Sequence, residues 1–132
     1  MTEFNWPYRL AALAAAAVGV FLLLGSFGHL GATWPMVRET SLAGLLLLLP
    51  GIFLLGLGLF NLLATWGLWK GSPALYSAAV ALNGIFLAYL AFLLVSGVPG
   101  HPLWFFTLMI GIYCCLLAAV RVKSVPTTHR PA

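Results

Sequence analysis

Apolar residues fill four long segments of this 132-residue chain, and short polar segments separate them. The longest apolar segment is 41–70, in which Lys70 is the only charged residue. About 20 apolar residues are enough for a helix to cross the hydrocarbon core of a bilayer. The pattern therefore predicts an all-α, integral membrane, four-helix up-down bundle, with helices over about 7–32, 41–70, 73–96 and 102–122.

Prolines mark the ends of the predicted helices and one interruption. Pro7 suits the first turn of helix 1, and the Trp34-Pro35 step is expected to end that span. Gly71-Ser72-Pro73 is a short turn, so helices 2 and 3 are predicted to form an antiparallel hairpin. Pro50 lies inside helix 2, where it removes one backbone hydrogen bond and predicts a kink.

The few charged residues predict an orientation. Only 6% of the residues are charged, whereas soluble domains carry about 25%. Lysine and arginine are concentrated on the cytoplasmic side of membrane proteins. One side of the predicted bundle has only Arg38, and the other has Arg9, Lys70, Arg121, Lys123 and Arg130. Both termini are therefore predicted to be cytoplasmic, with 1–123 as the transmembrane domain and 124–132 as a disordered cytoplasmic tail. The composition is compatible with a bacterial inner membrane.

Two strips of small residues follow the predicted helices at steps of three and four residues. Such a strip lets the backbone of another membrane helix approach closely. The strips consist of Ala11, Ala15 and Gly19 on helix 1, and of Ser77, Ala81, Gly84 and Ala88 on helix 3. We interpret both as helix–helix packing faces, used either within one monomer or against partner helices.

Three polar side chains are expected at one depth in the cytoplasmic half of the bundle. Asn61 and Asn83 each lie 11 residues from Ser72, the centre of the hairpin turn, and Tyr113 is expected near the same level. An asparagine in hydrocarbon must find a hydrogen-bond partner. We favour an Asn61–Asn83 contact that fixes the register of the hairpin. The alternative is a polar contact for a substrate, a quinone head group or a partner helix.

A second polar group is expected at the outer end of the bundle, where Ser26, His29 and Thr33 share one side of helix 1. The group consists of His29, Arg38, Glu39 and His101. Neutral imidazole is a common ligand for metals and haem, and Glu39 offers a third ligand. Two histidines 72 residues apart form no motif, so we favour interfacial side chains over a metal site.

The sequence contains no recognisable catalytic motif. Its two acidic residues, Glu3 and Glu39, lie outside the predicted spans, whereas a proton-coupled transporter needs an ionisable group within them. Cys114 and Cys115 are adjacent in an apolar segment, which suits neither a disulfide framework nor a metal site. We therefore expect no enzyme activity, no cofactor, no metal and no nucleic-acid partner.

One internal similarity links helices 1 and 2. Residues 19–34 and 51–66 share eight identical positions at an offset of 32. The two segments lie on helices of opposite direction, as in an inverted repeat. Because the shared residues are mostly Leu, Gly and Ala, we favour coincidence in a biased composition over duplication.

The leading functional hypothesis is a non-enzymatic accessory or scaffolding subunit of a larger membrane complex or homo-oligomer. Its expected partners are membrane lipid and other transmembrane helices, because a bundle of four leaves some close-packing faces free. The alternative is a carrier or binding protein for a small apolar solute, lipid or quinone. The site of such a carrier would combine the Pro50 kink with Asn61, Asn83 and Tyr113.

Overall fold

A computed structural model describes residues 6–37, 42–97 and 100–123. Four α-helices occupy these ranges, and no strand occurs within them. The helices are α1 (Trp6–Val37), α2 (Leu42–Trp69), α3 (Pro73–Val95) and α4 (His101–Lys123). All four are long and apolar enough to cross a membrane. The predicted all-α chain with four long apolar helices is therefore confirmed.

Helix α1 extends further than the sequence indicates. The predicted end is Ala32, whereas α1 continues to Val37 and contains Pro35. A proline inside a helix removes the hydrogen bond to the carbonyl four residues earlier. Since Pro35 lies in the last turn, it weakens only the end of the helix. The expectation that the Trp34-Pro35 step ends this helix is therefore wrong. The other three helices agree with the predicted bounds to within one residue at each end.

The turn between α2 and α3 has the expected chemistry. Gly71 adopts a φ of +71°, a left-handed conformation that glycine reaches without the steric cost of a Cβ atom. The hydroxyl of Ser72 accepts a hydrogen bond from the backbone N–H of Leu75, and Pro73 is the first residue of α3. We call this end of the bundle the hairpin end, and the other end the outer end.

The helices form a ring in which α1 contacts α2 and α4, and α3 contacts the same two helices. The contact between α1 and α2 is by far the most extensive. Glycine residues on both helices explain why α1 and α2 approach so closely. A Cβ atom placed on Gly19 would lie 3.0 Å from the carbonyl oxygen of Gly58, and one placed on Gly58 would lie 3.1 Å from that of Gly19. The two backbones therefore touch, as small residues permit.

The similar segments 19–34 and 51–66 make equivalent contacts in this helix pair. A Cβ atom on Gly19 would lie 2.9 Å from Cγ of Leu62, and one on Gly51 would lie 2.8 Å from Cγ of Leu30. Gly51 is the counterpart of Gly19, and Leu62 is the counterpart of Leu30, at the offset of 32. Each segment thus offers a glycine to the leucine of the other, in an approximate two-fold arrangement.

The outer surface of the bundle is as apolar as its interior. Many large apolar side chains are more than half exposed, among them Leu24, Phe27, Ile85, Phe92 and Ile112. A helix that is hydrophobic on all sides suits either a deep core or a membrane span. In a ring of four helices the outward sides have no core to enter, so they suit lipid or further helices.

Candidate functional site

The polar side of α1 contacts the backbone of α2 on both sides of Pro50. Ser26 Oγ is fully buried and donates a hydrogen bond to the carbonyl oxygen of Gly51 at 2.7 Å. His29 Nε2 lies 2.8 Å from the carbonyl oxygen of Leu47, so the ring donates from this nitrogen. The hydroxyl of Thr33 bonds within its own helix, to the carbonyl oxygen of His29.

These contacts anchor α1 to the interrupted part of α2. Proline has no backbone N–H, so the hydrogen-bond ladder of α2 lacks one donor at Pro50. Polar side chains of a neighbouring helix can compensate for such an interruption in a membrane protein. Ser26 and His29 do not do so directly, because their acceptors are the carbonyl oxygens of Gly51 and Leu47. The acceptor that loses its donor at Pro50 is the carbonyl oxygen of Leu46. The sequence indicates a polar side on helix 1 but not its partner.

The predicted outer group of His29, Arg38, Glu39 and His101 lies mostly outside the described residues. Arg38 and Glu39 are not described, and neither is the side chain of His101. Within the described part of the chain, no three His, Cys, Asp or Glu residues lie close enough together to hold a metal ion. Nε2 of His29 is already hydrogen-bonded to the backbone of α2.

Asn61 and Asn83 form a reciprocal pair between α2 and α3. Asn61 Nδ2 donates to Asn83 Oδ1 at 3.1 Å, and Asn83 Nδ2 donates to Asn61 Oδ1 at 3.0 Å. The second N–H of each amide bonds within its own helix, to the carbonyl oxygens of Leu57 and Ala79. Both side chains are fully buried. All four amide N–H groups are therefore used inside the protein, and none remains for a solute.

Tyr113, the third residue of the predicted polar layer, makes no such bond. Its side chain is 1% exposed, and its hydroxyl has no hydrogen-bond partner among the described residues. Tyr76, which sequence reasoning did not single out, donates from its hydroxyl to the carbonyl oxygen of Leu117 at 2.6 Å. The ring of Tyr8 packs edge-on against Tyr76. The hydroxyl of Tyr76 thus forms a hydrogen bond between α3 and α4.

The two small-residue strips have opposite environments. Ala11 and Ala15 are fully buried and Gly19 is buried as well, so the helix 1 strip packs inside the monomer. On α3 the residues that face the bundle are Ala79, Asn83, Phe86 and Leu90. The predicted strip of Ser77, Ala81, Gly84 and Ala88 is exposed throughout. A Cβ atom placed on Gly84 would meet no other atom within 4 Å. This strip is therefore an open face of the monomer.

A groove opens between α2 and α3 beside Pro50. Its volume is about 390 Å³. It is lined by Leu46, Leu49, Pro50 and Phe53 of α2, and by Ile85, Phe86 and Tyr89 of α3. The rings of Phe53 and Phe86 lie 5.6 Å apart. The hydroxyl of Tyr89 is the one polar side-chain group in this lining. We call this feature the Pro50 groove.

Two cations lie on tryptophan rings at the hairpin end. The guanidinium carbon of Arg9 is 5.0 Å from the centre of the Trp69 ring, and Nζ of Lys70 is 3.8 Å from that of Trp66. Such cation–π contacts are favourable. Tryptophans paired with basic side chains are typical of the interface between membrane and water. This end of the bundle therefore has the chemistry of an interfacial anchor.

Comparison with known proteins gave no match among protein-family models, curated proteins or solved structures. The geometry above is therefore the basis for a functional assignment.

Proposed function

We propose that this protein is an integral membrane subunit without enzyme activity, which scaffolds a membrane complex by docking another transmembrane helix on α3. The observation that carries the proposal is the open strip of Ser77, Ala81, Gly84 and Ala88. Small residues on a membrane helix favour close contact with a second helix. The docked helix belongs either to a different protein or to a second copy of this chain.

The α1–α2 contact illustrates what such a strip does when a partner covers it. There, Gly19 meets the backbone of Gly58 directly. On α3, Gly84 has the same small size and the same apolar surroundings but no neighbour within the described part of the chain. This open strip of four small residues at steps of three and four is therefore our candidate for a docking face.

A membrane location and an orientation are part of this proposal. The four apolar helices and the apolar outer surface support insertion into a bilayer. Arg9 and Lys70, each on a tryptophan ring, suit the hairpin end to a membrane interface. The excess of Lys and Arg at this end favours a cytoplasmic position for it and for both termini. A bacterial inner membrane is the proposed location.

The docking proposal is tested with a matched pair of glycine substitutions. Gly84→Leu adds a bulky side chain to the open strip. Gly56→Leu adds the same side chain to α2, at another position where an added Cβ atom meets nothing within 4 Å. Each tagged variant is purified in mild detergent at native expression level, and the co-purifying proteins are quantified by mass spectrometry. We expect Gly84→Leu to lose a stoichiometric partner, or the dimer of the chain itself, that Gly56→Leu retains. Equal retention by both variants contradicts the proposal.

A carrier for a lipid or small apolar solute is the second candidate function, and the Pro50 groove is the observation that favours it. The amides of Asn61 and Asn83 do not suit such a site, because all of their N–H groups are used within the protein. Organic extracts of the purified protein test this candidate. A carrier retains a defined lipid or quinone in stoichiometric amount, and an extract that contains only bulk phospholipid counts against it.

A further inference from the structure

One residue that lines the Pro50 groove, Leu46, has a backbone carbonyl that has lost its α-helical donor. In a regular helix, the N–H of residue 50 would bond to the carbonyl oxygen of Leu46, and proline has no N–H. Ser26 and His29 donate to Gly51 and Leu47 instead, and no described side chain donates to Leu46. Leu46 and Pro50 both line the groove, so the gap in the hydrogen-bond ladder lies along the groove wall.

The opposite wall of the groove contributes a hydroxyl group. Tyr89 of α3 lines the groove and is 47% exposed. Its hydroxyl makes no hydrogen bond to another described side chain or backbone group. The groove thus combines apolar walls with one backbone acceptor and one phenol that can both donate and accept. Within a bilayer no water is present to satisfy these groups.

We propose that the Pro50 groove binds a membrane-dissolved lipid alcohol. Its hydroxyl donates to the carbonyl oxygen of Leu46 and accepts from Tyr89, and its hydrocarbon chain fills the apolar walls. A phospholipid acyl chain offers neither a donor nor an acceptor, so it satisfies neither group. The volume of about 390 Å³ lies within the range of small-molecule pockets.

The position of the groove along α2 separates this site from the lipid head groups. Pro50 is eight residues from Leu42, the first residue of α2, which corresponds to about 12 Å along the helix. A hydroxyl at this depth has few other hydrogen-bond partners. The inference rests on the membrane location proposed above and is independent of helix docking on α3.

The test uses two photoreactive probes that differ in one hydrogen-bond donor. A diazirine-labelled hexadecanol and its methyl ether are added separately to the full chain in phosphatidylcholine vesicles, and labelled residues are identified by mass spectrometry. The ether keeps the chain and the oxygen acceptor but has no O–H. We expect the alcohol to label Ile85 and Tyr89 roughly 3- to 10-fold more than the ether, the ratio that one intramembrane hydrogen bond supports. Labelling of Leu24, which is exposed on α1, is expected to be equal for both probes.

Three variants assign the labelling to the groove. Pro50→Ala supplies the missing N–H to Leu46, so we expect the alcohol-to-ether ratio to fall to about one. Tyr89→Phe removes the other hydrogen-bonding group and lowers labelling by both probes. Ile85→Trp fills the groove and removes the excess labelling by the alcohol. Ile52→Trp, at an exposed position of α2 outside the lining, leaves that excess unchanged.

The labelling results distinguish failure of the lipid-alcohol site from failure of the membrane location. Equal labelling of Leu24 by both probes, without an alcohol preference at Ile85 and Tyr89, overturns the lipid-alcohol site and leaves the membrane location standing. Absence of labelling at Leu24 as well overturns both. A preference for the alcohol that survives in both Pro50→Ala and Ile85→Trp also overturns the site, because it then does not depend on the groove.

Discussion

Helix α2 has two very different neighbours. Against α1 it packs backbone to backbone, and Gly58 touches Gly19. Side chains of α1 also form hydrogen bonds with backbone carbonyl groups of α2. Against α3 it is joined by one reciprocal pair, Asn61 and Asn83, and then leaves the Pro50 groove open. Facing glycines therefore produce a continuous interface between helices, whereas a polar pair fixes their register at one level only.

The same difference separates the two strips of small residues. The strip on α1 is buried inside the monomer, and the strip on α3 is exposed on its surface. A small-residue pattern alone does not distinguish these cases. The neighbours decide between them, and this makes the α3 strip rather than the α1 strip the candidate for contact with another protein.

The largest expected effect comes from breaking the α1–α2 interface at Gly58. Leucine at this position drives a side chain into the carbonyl oxygen of Gly19, 3.1 Å from the new Cβ atom, so the helices must separate. Overpacking a tight interior costs about 1–3 kcal/mol or more, and we expect Gly58→Leu to lie at or above the upper value. Unfolding in mixed micelles with increasing sodium dodecyl sulfate measures the loss. Gly56→Leu is the control, and an equal loss in both variants contradicts the close α1–α2 contact.

The Asn61–Asn83 pair is expected to show the next largest effect. Asn61→Leu leaves the buried amide of Asn83 without its partner, which costs about 1–2 kcal/mol of unfolding free energy. The double change of both residues to leucine removes the unpaired group, so it is expected to cost less than the sum of the single changes. The same unfolding assay measures all three variants. Strictly additive losses would show that the two amides do not act as a pair.

A smaller effect is expected at Ser26, whose bond to Gly51 joins α1 to α2 near the proline. Ser26→Ala removes this bond and is expected to cost about 0.6–1.7 kcal/mol. Thr107→Val serves as the control, because the hydroxyl of Thr107 bonds only to the carbonyl oxygen of Leu103 in its own helix. If Ser26→Ala costs no more than Thr107→Val, the bond between the helices contributes little to stability.

The smallest effect on the monomer is expected at Gly84. An added Cβ atom there meets no neighbouring atom within 4 Å, and leucine is a better helix former than glycine by up to about 1 kcal/mol. Gly84→Leu is therefore expected to leave the unfolding free energy of the isolated monomer unchanged or slightly higher. A loss comparable to that of Gly58→Leu would mean that the α3 strip is packed inside the monomer after all.

The sequence predicts much of the fold because helix ends and turn residues leave local signals. Gly71, Ser72 and Pro73 define one turn, and equal distances from it bring Asn61 and Asn83 together. The end of α1 was missed because proline in a last turn costs little.

The orientation of each helix about its axis was much harder to predict. Most of each helix is apolar on all sides, so few polar residues distinguish the bundle interior from the surface. The burial of the α1 strip and the exposure of the α3 strip depend on the tertiary packing. The contacts of Ser26 and His29 with backbone carbonyl groups have no residue signature on α2 beyond Pro50 itself. The Pro50 groove likewise arises from the spacing of two helices rather than from a motif.

Cysteine cross-linking at the open face of α3 is the most direct test of helix docking there. Cys114 and Cys115 are replaced by alanine, and a single cysteine is introduced at Gly84 or, as the control, at Gly56. Membranes of cells that express each variant are then treated with a short thiol-to-amine or thiol-to-thiol cross-linker. If a helix docks on α3, we expect one discrete adduct at Gly84, either with a partner protein or with a second copy of the chain, and none at Gly56. Absence of an adduct at Gly84, or the same adducts at both positions, contradicts a docking face on α3.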